Sequence, residues 1–176
     1  MVQLTTERLS LKPVTSSDMD DLLSLWSDTI FTRFITGRAL SEEEVWLRCL
    51  RDMGHWQALG HGNWAIRETQ SGLFVGTVGV LSYRRDILPA ITAPELGWGL
   101  SSRFHGQGMA QEAAGAALRW ADENLSASLT QCMISPENTP SIRLATKLGY
   151  ETWTTTRYKD NEVVLFERHR PRAHQD

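Results

Sequence analysis

Two glycines, Gly106 and Gly108, stand directly before an alanine-rich segment, where they could help to bind an anion. Glycine lets the backbone turn sharply and approach a phosphate closely. From 109 to 124, alanines and a leucine recur at helical spacing, which predicts a helix that begins where the glycines end. The first N–H groups of a helix have no partner inside it. The loop and this helix N-terminus together predict a phosphate or pyrophosphate site.

Seven strands and four helices are predicted around this loop. Apolar, β-rich stretches predict strands at 8–14, 64–68, 73–83, 95–100, 129–134, 152–157 and 162–168. Helical spacing and capping residues predict helices at 18–27, 41–59, 109–124 and 140–148. The early strands follow one another as hairpin neighbours, whereas helical crossovers join those around the glycine loop. The order predicts an α/β protein of the α+β type, with a mixed sheet and helices on both faces.

Several segment ends carry local signals. Ser41 followed by Glu44 predicts a capping box for the helix at 41–59, and Ser17 followed by Asp20 predicts a similar start for the helix at 18–27. Gly60 should end the helix that Ser41 begins. Residues 69–72 and 159–161 have the length and composition of hairpin turns.

Composition limits the function classes. A chain of 176 residues with 41% hydrophobic residues predicts one domain, 1–168, followed by a polar tail at 169–176. A net charge of −3 provides no general attraction for nucleic acid. We expect a cytoplasmic protein without a membrane segment, since no apolar run approaches the ~20 residues that span a bilayer. Cys49 and Cys132 should be reduced thiols, and the histidines show no metal-ligand spacing, so we expect no metal.

Four segments together resemble the GNAT superfamily of acyl-CoA-dependent N-acyltransferases, and within it the RimJ/RimL-like branch that acetylates N-terminal amines of ribosomal proteins. They are ERLSLKPV at 7–14, PELGWGL at 94–100, Arg103-x-x-Gly106-x-Gly108, and PENTPSIRLATKLGY at 136–150. The resemblance implies a mostly antiparallel sheet of about seven strands, splayed at its centre beside the strand 95–100. In the family a bulge produces this splay, and Gly97 and Gly99 suit such a bend.

The resemblance also implies acetyl-CoA as the cofactor, with no metal. A backbone N–H near Trp98 to Leu100 would polarise the thioester, and the amides of 104–110 would hold the pyrophosphate. The residues implied to bind the cofactor are Trp98, Gly99, Leu100, Arg103, Phe104, His105, Gly106, Gln107, Gly108, Met109, Ala110, Asn138 and Ser141.

Two residues are implied to be catalytic. Glu95 would take a proton from the amine, directly or through water, because a protonated amine cannot attack. Many relatives use a tyrosine as the acid seven residues after the motif asparagine, and Ala145 stands there in this chain. The resemblance therefore assigns the acid role to Ser141.

Each of these assignments has an alternative. Glu95 could instead pair with an arginine such as Arg67 or Arg84. Ser141 could bond its own helix backbone, and Asn138 could act as a helix cap as well as a cofactor contact. Tyr150 and Tyr158 are further candidate acids.

The acceptor stays open at this point. A small amine, a peptide or a protein N-terminus, including one from a ribosomal protein, would all suit the implied chemistry, and the protein could be a monomer or a homodimer. The resemblance implies that the two N-terminal helices and their linker wall the acceptor groove, where one or two aromatic residues should shape the pocket; the candidates are Trp26, Phe31, Phe34, Trp46 and Trp56. Acidic groups at the starts of those helices could attract a basic substrate; they are Asp18, Asp20, Asp21, Glu42, Glu43 and Glu44.

Two other functions compete with acetyl transfer. An acyl-CoA-binding module without turnover would share the fold, since a fold alone does not determine activity. A dinucleotide-binding oxidoreductase is disfavoured because Gln111 occupies the third glycine position of that fingerprint.

Overall fold

The computed structural model describes residues 2–171, so residues 172–176 of the predicted polar tail lie outside the described residues. The strands are β1 (Leu4–Thr5), β2 (Leu9–Pro13), β3 (Asn63–Glu68), β4 (Phe74–Leu81), β5 (Glu95–Leu100), β6 (Leu129–Ile134), β7 (Glu151–Tyr158) and β8 (Asn161–His169). The helices are α1 (Met19–Ser27), α2 (Thr29–Thr32), α3 (Glu42–Leu59), α4 (Met109–Asn124) and α5 (Thr139–Lys147).

The strands form one sheet in the order β1-β2-β3-β4-β5-β6-β8-β7. Every neighbouring pair is antiparallel except β5 and β6, which are parallel. This confirms the predicted mixed, mostly antiparallel sheet. It has eight strands rather than about seven, because the two-residue strand β1 is too short to produce a periodic pattern.

The sheet opens between β5 and β6. The two strands pair at Glu95 and Gln131 alone, so the rest of the β5 edge has no strand partner among residues 2–171. This is the splay that the resemblance implied. The expected bulge is not part of the β5 pairing, since β5 and β4 match regularly from Gly76 with Leu100 to Leu81 with Glu95. Breaks in register lie instead between Ile66 and Arg67 of β3 and between Thr152 and Thr154 of β7.

Alternating residues of the sheet produce two apolar layers. Trp64 and Ile66 of β3 point toward the face covered by α4, where Ala113, Ala114 and Ala117 allow close packing because their side chains are small. Ala65 points to the other face and packs with residues of α1 and α3; these include Leu22, Val45 and Cys49. The alternation expected of strands therefore puts helices on both faces, as predicted.

The helix ends show which local signals were correct. Ser41 and Glu44 form the predicted capping box, and Gly60 follows α3 in the left-handed conformation with φ 71°. The cap predicted at Ser17 is wrong. Thr15 instead caps a short 3-10 turn, Ser16–Asp18, that leads into α1, and the Asp18 carboxylate accepts the Thr15 backbone N–H at 2.9 Å.

One buried histidine makes stability depend on pH. His55 Nε2 accepts the backbone N–H of Ser82 at 3.0 Å, so the ring is held neutral. Burial and the neighbouring His61 lower the pKa of His55 below its ordinary 6.5. The unfolded chain therefore binds this proton more readily, and stability is lost as the pH falls below 6.5.

We expect the free energy of unfolding to decrease by up to about 1.4 kcal/mol per pH unit on this account. Urea titrations between pH 7.5 and 5 measure it. The slope of the free energy of unfolding against pH should be smaller in His55→Gln. In His169→Gln it should stay at the wild-type value, because His169 is exposed. An unchanged slope in His55→Gln would contradict the assignment.

Candidate functional site

A cleft of about 590 Å³ lies where β5 and β6 diverge. It is lined by β5, the glycine loop, the start of α4, the first turn of α5 and the segment around α2. Most of the residues predicted to bind the cofactor line it; these are Trp98, Gly99, Leu100, Phe104, His105, Gly106, Gly108, Met109, Ala110, Asn138 and Ser141. Arg103 and Gln107 belong to the same loop but are not among the residues that line the cleft.

The glycine loop has the conformation that an anion site needs. Gly106 and Gly108 have φ angles of 73° and 76°, which disfavour other residues, and Gly108 is the N-cap of α4. Within the described chain, the backbone N–H groups of residues 106–111 have no hydrogen-bond acceptor. Free N–H groups at a helix start, beside a cleft of this size, fit a pyrophosphate.

Arg8 and Glu112 hold the glycine loop in place, a role that was not predicted from the sequence for either residue. Arg8 donates from Nη1 to the Gln107 carbonyl at 2.9 Å and from Nε to the Glu112 carboxylate at 2.7 Å. Burial raises the pKa of Glu112, but hydrogen bonds from Thr6 and Arg8 outweigh it and the net pKa is lowered. Because Arg8 neutralises the Glu112 carboxylate, the negative charge of Glu112 does not repel an anion at the start of α4.

Hydrogen bonds of His105 and Asp28 hold the walls of the cleft in place. His105 Nε2 donates to the Leu100 carbonyl at 2.9 Å, so the imidazole connects the loop to the end of β5. Asp28 caps α2 by accepting the Ile30 and Phe31 N–H groups, and its second oxygen accepts the Ser102 N–H at 2.9 Å. Asp28 therefore ties the wall of the cleft to the turn before the glycine loop.

Ser141 and Trp98 meet across the opening between the strands. The Trp98 indole Nε1–H donates to Ser141 Oγ at 3.3 Å, and Asn138 Oδ1 accepts the Ser141 backbone N–H at 3.3 Å. Asn138 is thus the cap of α5 and also lines the cleft. Because Ser141 Oγ is the acceptor in the hydrogen bond with Trp98, the hydroxyl hydrogen of Ser141 is free to donate to another group.

Glu95 lies at the closed end of this opening and does not line the cleft. Its side chain is buried and accepts Arg85 Nε at 2.9 Å on both oxygens. The expected partners Arg67 and Arg84 were wrong, since Arg67 pairs with Asp18 and Asp21 on the α1 side. Burial raises the pKa of Glu95, and the Arg85 guanidinium only partly offsets that rise.

The two further candidate acids are outside the cleft lining. Tyr150 is buried, shares a 2.7 Å hydrogen bond with Thr130, and has its pKa raised by burial. Tyr158 accepts from Arg85 Nη1 at 3.2 Å. Neither tyrosine is placed beside Ser141.

Of the aromatic residues expected to wall the acceptor groove, Phe31 and Phe34 line the cleft. Trp26 packs edge-on against Phe31 at 5.0 Å between ring centroids, whereas Trp56 packs with Trp64 in the core. Trp46 is exposed on α3. Three further residues in and beside α2 line the cleft and were not predicted from the sequence: Ile30, Arg33 and Ile35.

Several acidic groups named as a possible attraction for a basic substrate are already paired. Asp18 and Asp21 share Arg67, and Glu44 pairs with Arg38. Across residues 2–171 there is no cluster of three or more histidine, cysteine, aspartate or glutamate side chains that could hold a metal ion. No helix in that same range is long and apolar enough to cross a membrane.

Comparison with known proteins agrees with this geometry. The family described as Acetyltransferase (GNAT) domain matches residues 8–151. A relative described as the uncharacterized N-acetyltransferase p20 of Bacillus licheniformis is 26% identical over 154 residues, which cover 86% of this chain and 83% of that protein.

Solved structures show the same fold. An acetyltransferase from Agrobacterium tumefaciens has a TM-score of 0.82 at 27% identity, covering 96% of this chain and 95% of its own. The ribosomal-protein-S5-alanine acetyltransferase of Vibrio fischeri has a TM-score of 0.75 at 16% identity, covering 98% of each chain. A structure described as RimL, a ribosomal L7/L12 alpha-N-protein acetyltransferase, has a TM-score of 0.78 at 15% identity, covering 96% of this chain and 98% of its own. The chain therefore belongs to the GNAT family and is an acyl-CoA-dependent acetyltransferase.

Proposed function

We propose that this protein transfers an acetyl group from acetyl-CoA to a primary amine, by direct attack in a ternary complex with Ser141 as the acid. The observation that carries this proposal is the hydrogen bond from Trp98 Nε1 to Ser141 Oγ inside the cleft. It orients a hydroxyl whose proton is still free to donate, at the place where the two strands separate.

The chain's own groups supply a binding site along the cleft. The free N–H groups of residues 106–111 would hold the pyrophosphate, and the unpaired edge of β5 would bond the pantetheine arm as an added strand does. Backbone N–H groups near Trp98 to Leu100 would polarise the carbonyl. Acetyl-CoA supplies the activated thioester. The amine nitrogen would bond to its carbonyl carbon as the carbon–sulfur bond breaks, and Ser141 would protonate the leaving sulfur and regain a proton from water.

Glu95 is proposed as the base that takes the amine proton. Because it is buried off the cleft lining, the transfer requires a water between Glu95 and the amine. The raised pKa brings the carboxyl nearer to the range in which it can accept a proton and later release it.

We expect Glu95→Gln to lower kcat/KM about 100-fold for an alkyl amine. The defect should be much smaller for a weakly basic amine that is already neutral at pH 7, since no proton then needs to be taken. Thiol release from acetyl-CoA measures both rates. Thermal melting checks that loss of the ion pair with Arg85 has not unfolded the variant. An equal defect on both acceptors would mean that Glu95 acts only through its ion pair.

The acceptor is a primary amine of a small molecule or a protein N-terminus. The Vibrio fischeri neighbour is named for a ribosomal-protein substrate, so ribosomal N-terminal peptides are candidates. The hydrogen-bonded Ser141 argues against a module that binds acyl-CoA without turnover, because binding alone does not require an oriented acid.

Calorimetric titration with acetyl-CoA, with NAD as the control ligand, tests the proposal together with thiol release in the presence of amines. We expect heat of binding with acetyl-CoA but none with NAD. We also expect thiol release when an amine is added together with acetyl-CoA. Binding without release from any amine would favour the module without turnover. Absence of acetyl-CoA binding would overturn the proposed site.

A further inference from the structure

Gly97 of β5 is a glycine that the fold does not require. Its backbone is ordinary extended strand, with φ outside the left-handed region, and it pairs with Gly79 in the regular register of β4 and β5. A Cβ placed on it would meet Leu81 Cδ1 at 3.5 Å, which is ordinary van der Waals contact. Glycine inside a strand is less stable than alanine, because it loses more conformational freedom on folding. An alanine would therefore fit here and stabilise the strand.

Gly99, two positions further along β5, has a packing reason to be glycine. A Cβ there would lie 2.3 Å from Phe31 Cε2, so the Phe31 ring occupies the space that a side chain at this position would fill. Because alternate residues of a strand face the same side, Gly97 exposes its backbone beside this ring. Among residues 2–171, no contact of this kind explains Gly97. A glycine inside a strand often marks a place where a ligand approaches the backbone closely.

Gly97 lines the cleft, and the side chains around it leave a gap above its backbone. The Phe31 ring lies on one side of this gap, and Glu95, two positions earlier on β5, lies on the other side in its ion pair. Met133 of β6 lines the cleft across the opening between the strands. It faces the same side as Glu95, because it stands two positions after Gln131, the pairing partner of Glu95. We name this space the Gly97 pocket.

The Gly97 pocket lies on the face of the sheet opposite the proposed acid. Trp98 packs against the core beneath α4, and it donates to Ser141 of α5 on that same side. Glu95, the proposed base, lies on the other side with Gly97. A thioester held in the opening between β5 and β6 would therefore have the acid on one face and the base on the other. The amine then approaches the carbonyl across Gly97.

We infer that the bare backbone of Gly97 forms the floor of the acceptor pocket and makes room for a substituent on the carbon that carries the reacting amine. This inference rests on the proposed function and specifies the acceptors that it takes. A methyl group at position 97 would stand where such a substituent lies, and it would leave space for an unbranched amine. Gly97 thus determines acceptor specificity without taking part in the proton transfers.

The polarity of the cleft indicates the chemistry of this substituent. The α2 segment presents apolar side chains to the cleft; these are Ile30, Phe31, Phe34 and Ile35. Within the described part of the chain, no carboxylate lines the cleft, and Arg33 is the one lysine or arginine that does. The lining therefore favours an apolar substituent over one that carries a second amino group.

Isomeric acceptors isolate the effect of the substituent. Butylamine and sec-butylamine contain the same atoms and a single amine, and only sec-butylamine is branched at the carbon next to the nitrogen. Tripeptide amides that begin with glycine or with alanine form a second pair, with the same difference at the first residue. Thiol release from acetyl-CoA measures kcat/KM for each acceptor.

Gly97→Ala should lower kcat/KM by at least about 10-fold more for the branched member of a pair than for the unbranched member, because one additional methyl group in a pocket has an effect of this size. The loss should appear in KM for the acceptor. The affinity for acetyl-CoA, measured by calorimetry, should stay at the wild-type value, and the melting temperature should be equal or higher.

Gly54→Ala is the matched control. Gly54 is exposed on α3, and an added Cβ would have nothing within 4 Å. This variant gains the same methyl group away from the cleft, so it should keep the wild-type rates on both members of each pair.

The possible failures can be told apart. Equal losses on branched and unbranched acceptors in Gly97→Ala, no loss at all, or a wild-type protein that rejects every branched acceptor would overturn the inference and leave the transferase function intact. Weaker acetyl-CoA binding or a lower melting temperature in Gly97→Ala would also overturn it, because the glycine would then serve the cofactor or the fold. Bound acetyl-CoA without thiol release from any acceptor would overturn the proposed function and the inference with it.

Discussion

Replacing Ser141 by alanine should lower kcat about 100-fold and leave acetyl-CoA affinity nearly unchanged. An acid that protonates the leaving sulfur acts mainly in the transition state, so its loss affects turnover rather than binding. Steady-state thiol release measures kcat, and calorimetry measures the affinity.

The control for Ser141→Ala lies on the same helix. Thr146 is exposed on α5 and its hydroxyl donates to the Ile142 carbonyl, so Thr146→Ala removes a comparable group away from the cleft and should keep the wild-type kcat. Trp98→Phe keeps an aromatic ring but loses the N–H that orients Ser141, and it should reduce kcat to a smaller extent. A wild-type kcat in Ser141→Ala would remove this serine from the mechanism.

Replacing Gly108 by valine should weaken acetyl-CoA binding by about 10- to 100-fold. Gly108 has φ 76°, a conformation that β-branched residues avoid, and its added side chain would stand at the start of α4 where the free N–H groups converge. Calorimetric titration with acetyl-CoA measures the loss.

The control must carry the same backbone strain elsewhere. Gly72 has φ 72° in the turn between β3 and β4, with open space around its Cα, so Gly72→Val is matched in conformation and remote from the cleft. Both variants should lose stability, and only Gly108→Val should lose affinity. Wild-type affinity in Gly108→Val would mean that the anion site is misplaced.

Local signals in the sequence were sufficient for most of the fold. Helical spacing and the Ser41–Glu44 cap located α3, and the alanine-rich stretch located α4, because these signals act between residues a few positions apart. The strand β1 and the helix α2 were missed. They have two and four residues, which is about one period of each pattern and too short to show a repeat, and α2 is capped by Asp28.

The site was predicted in part for the same reason. The glycine loop and Asn138 are recognisable because their conformations follow from neighbouring residues, whereas the partner of Glu95 was assigned wrongly. Arg85 reaches Glu95 from the loop after β4, and no periodic pattern predicts where that loop folds back.

The sequence by itself determined the order of most strands and helices, the glycine loop before α4 and the family resemblance, since each depends on residue types at fixed short spacings. Only the tertiary structure decided that Trp98 donates to Ser141 across 43 positions and that Arg85 neutralises Glu95. These contacts join elements from distant parts of the chain. Their distances depend on how the sheet opens and how the loop after β4 folds back on it, which no local pattern encodes.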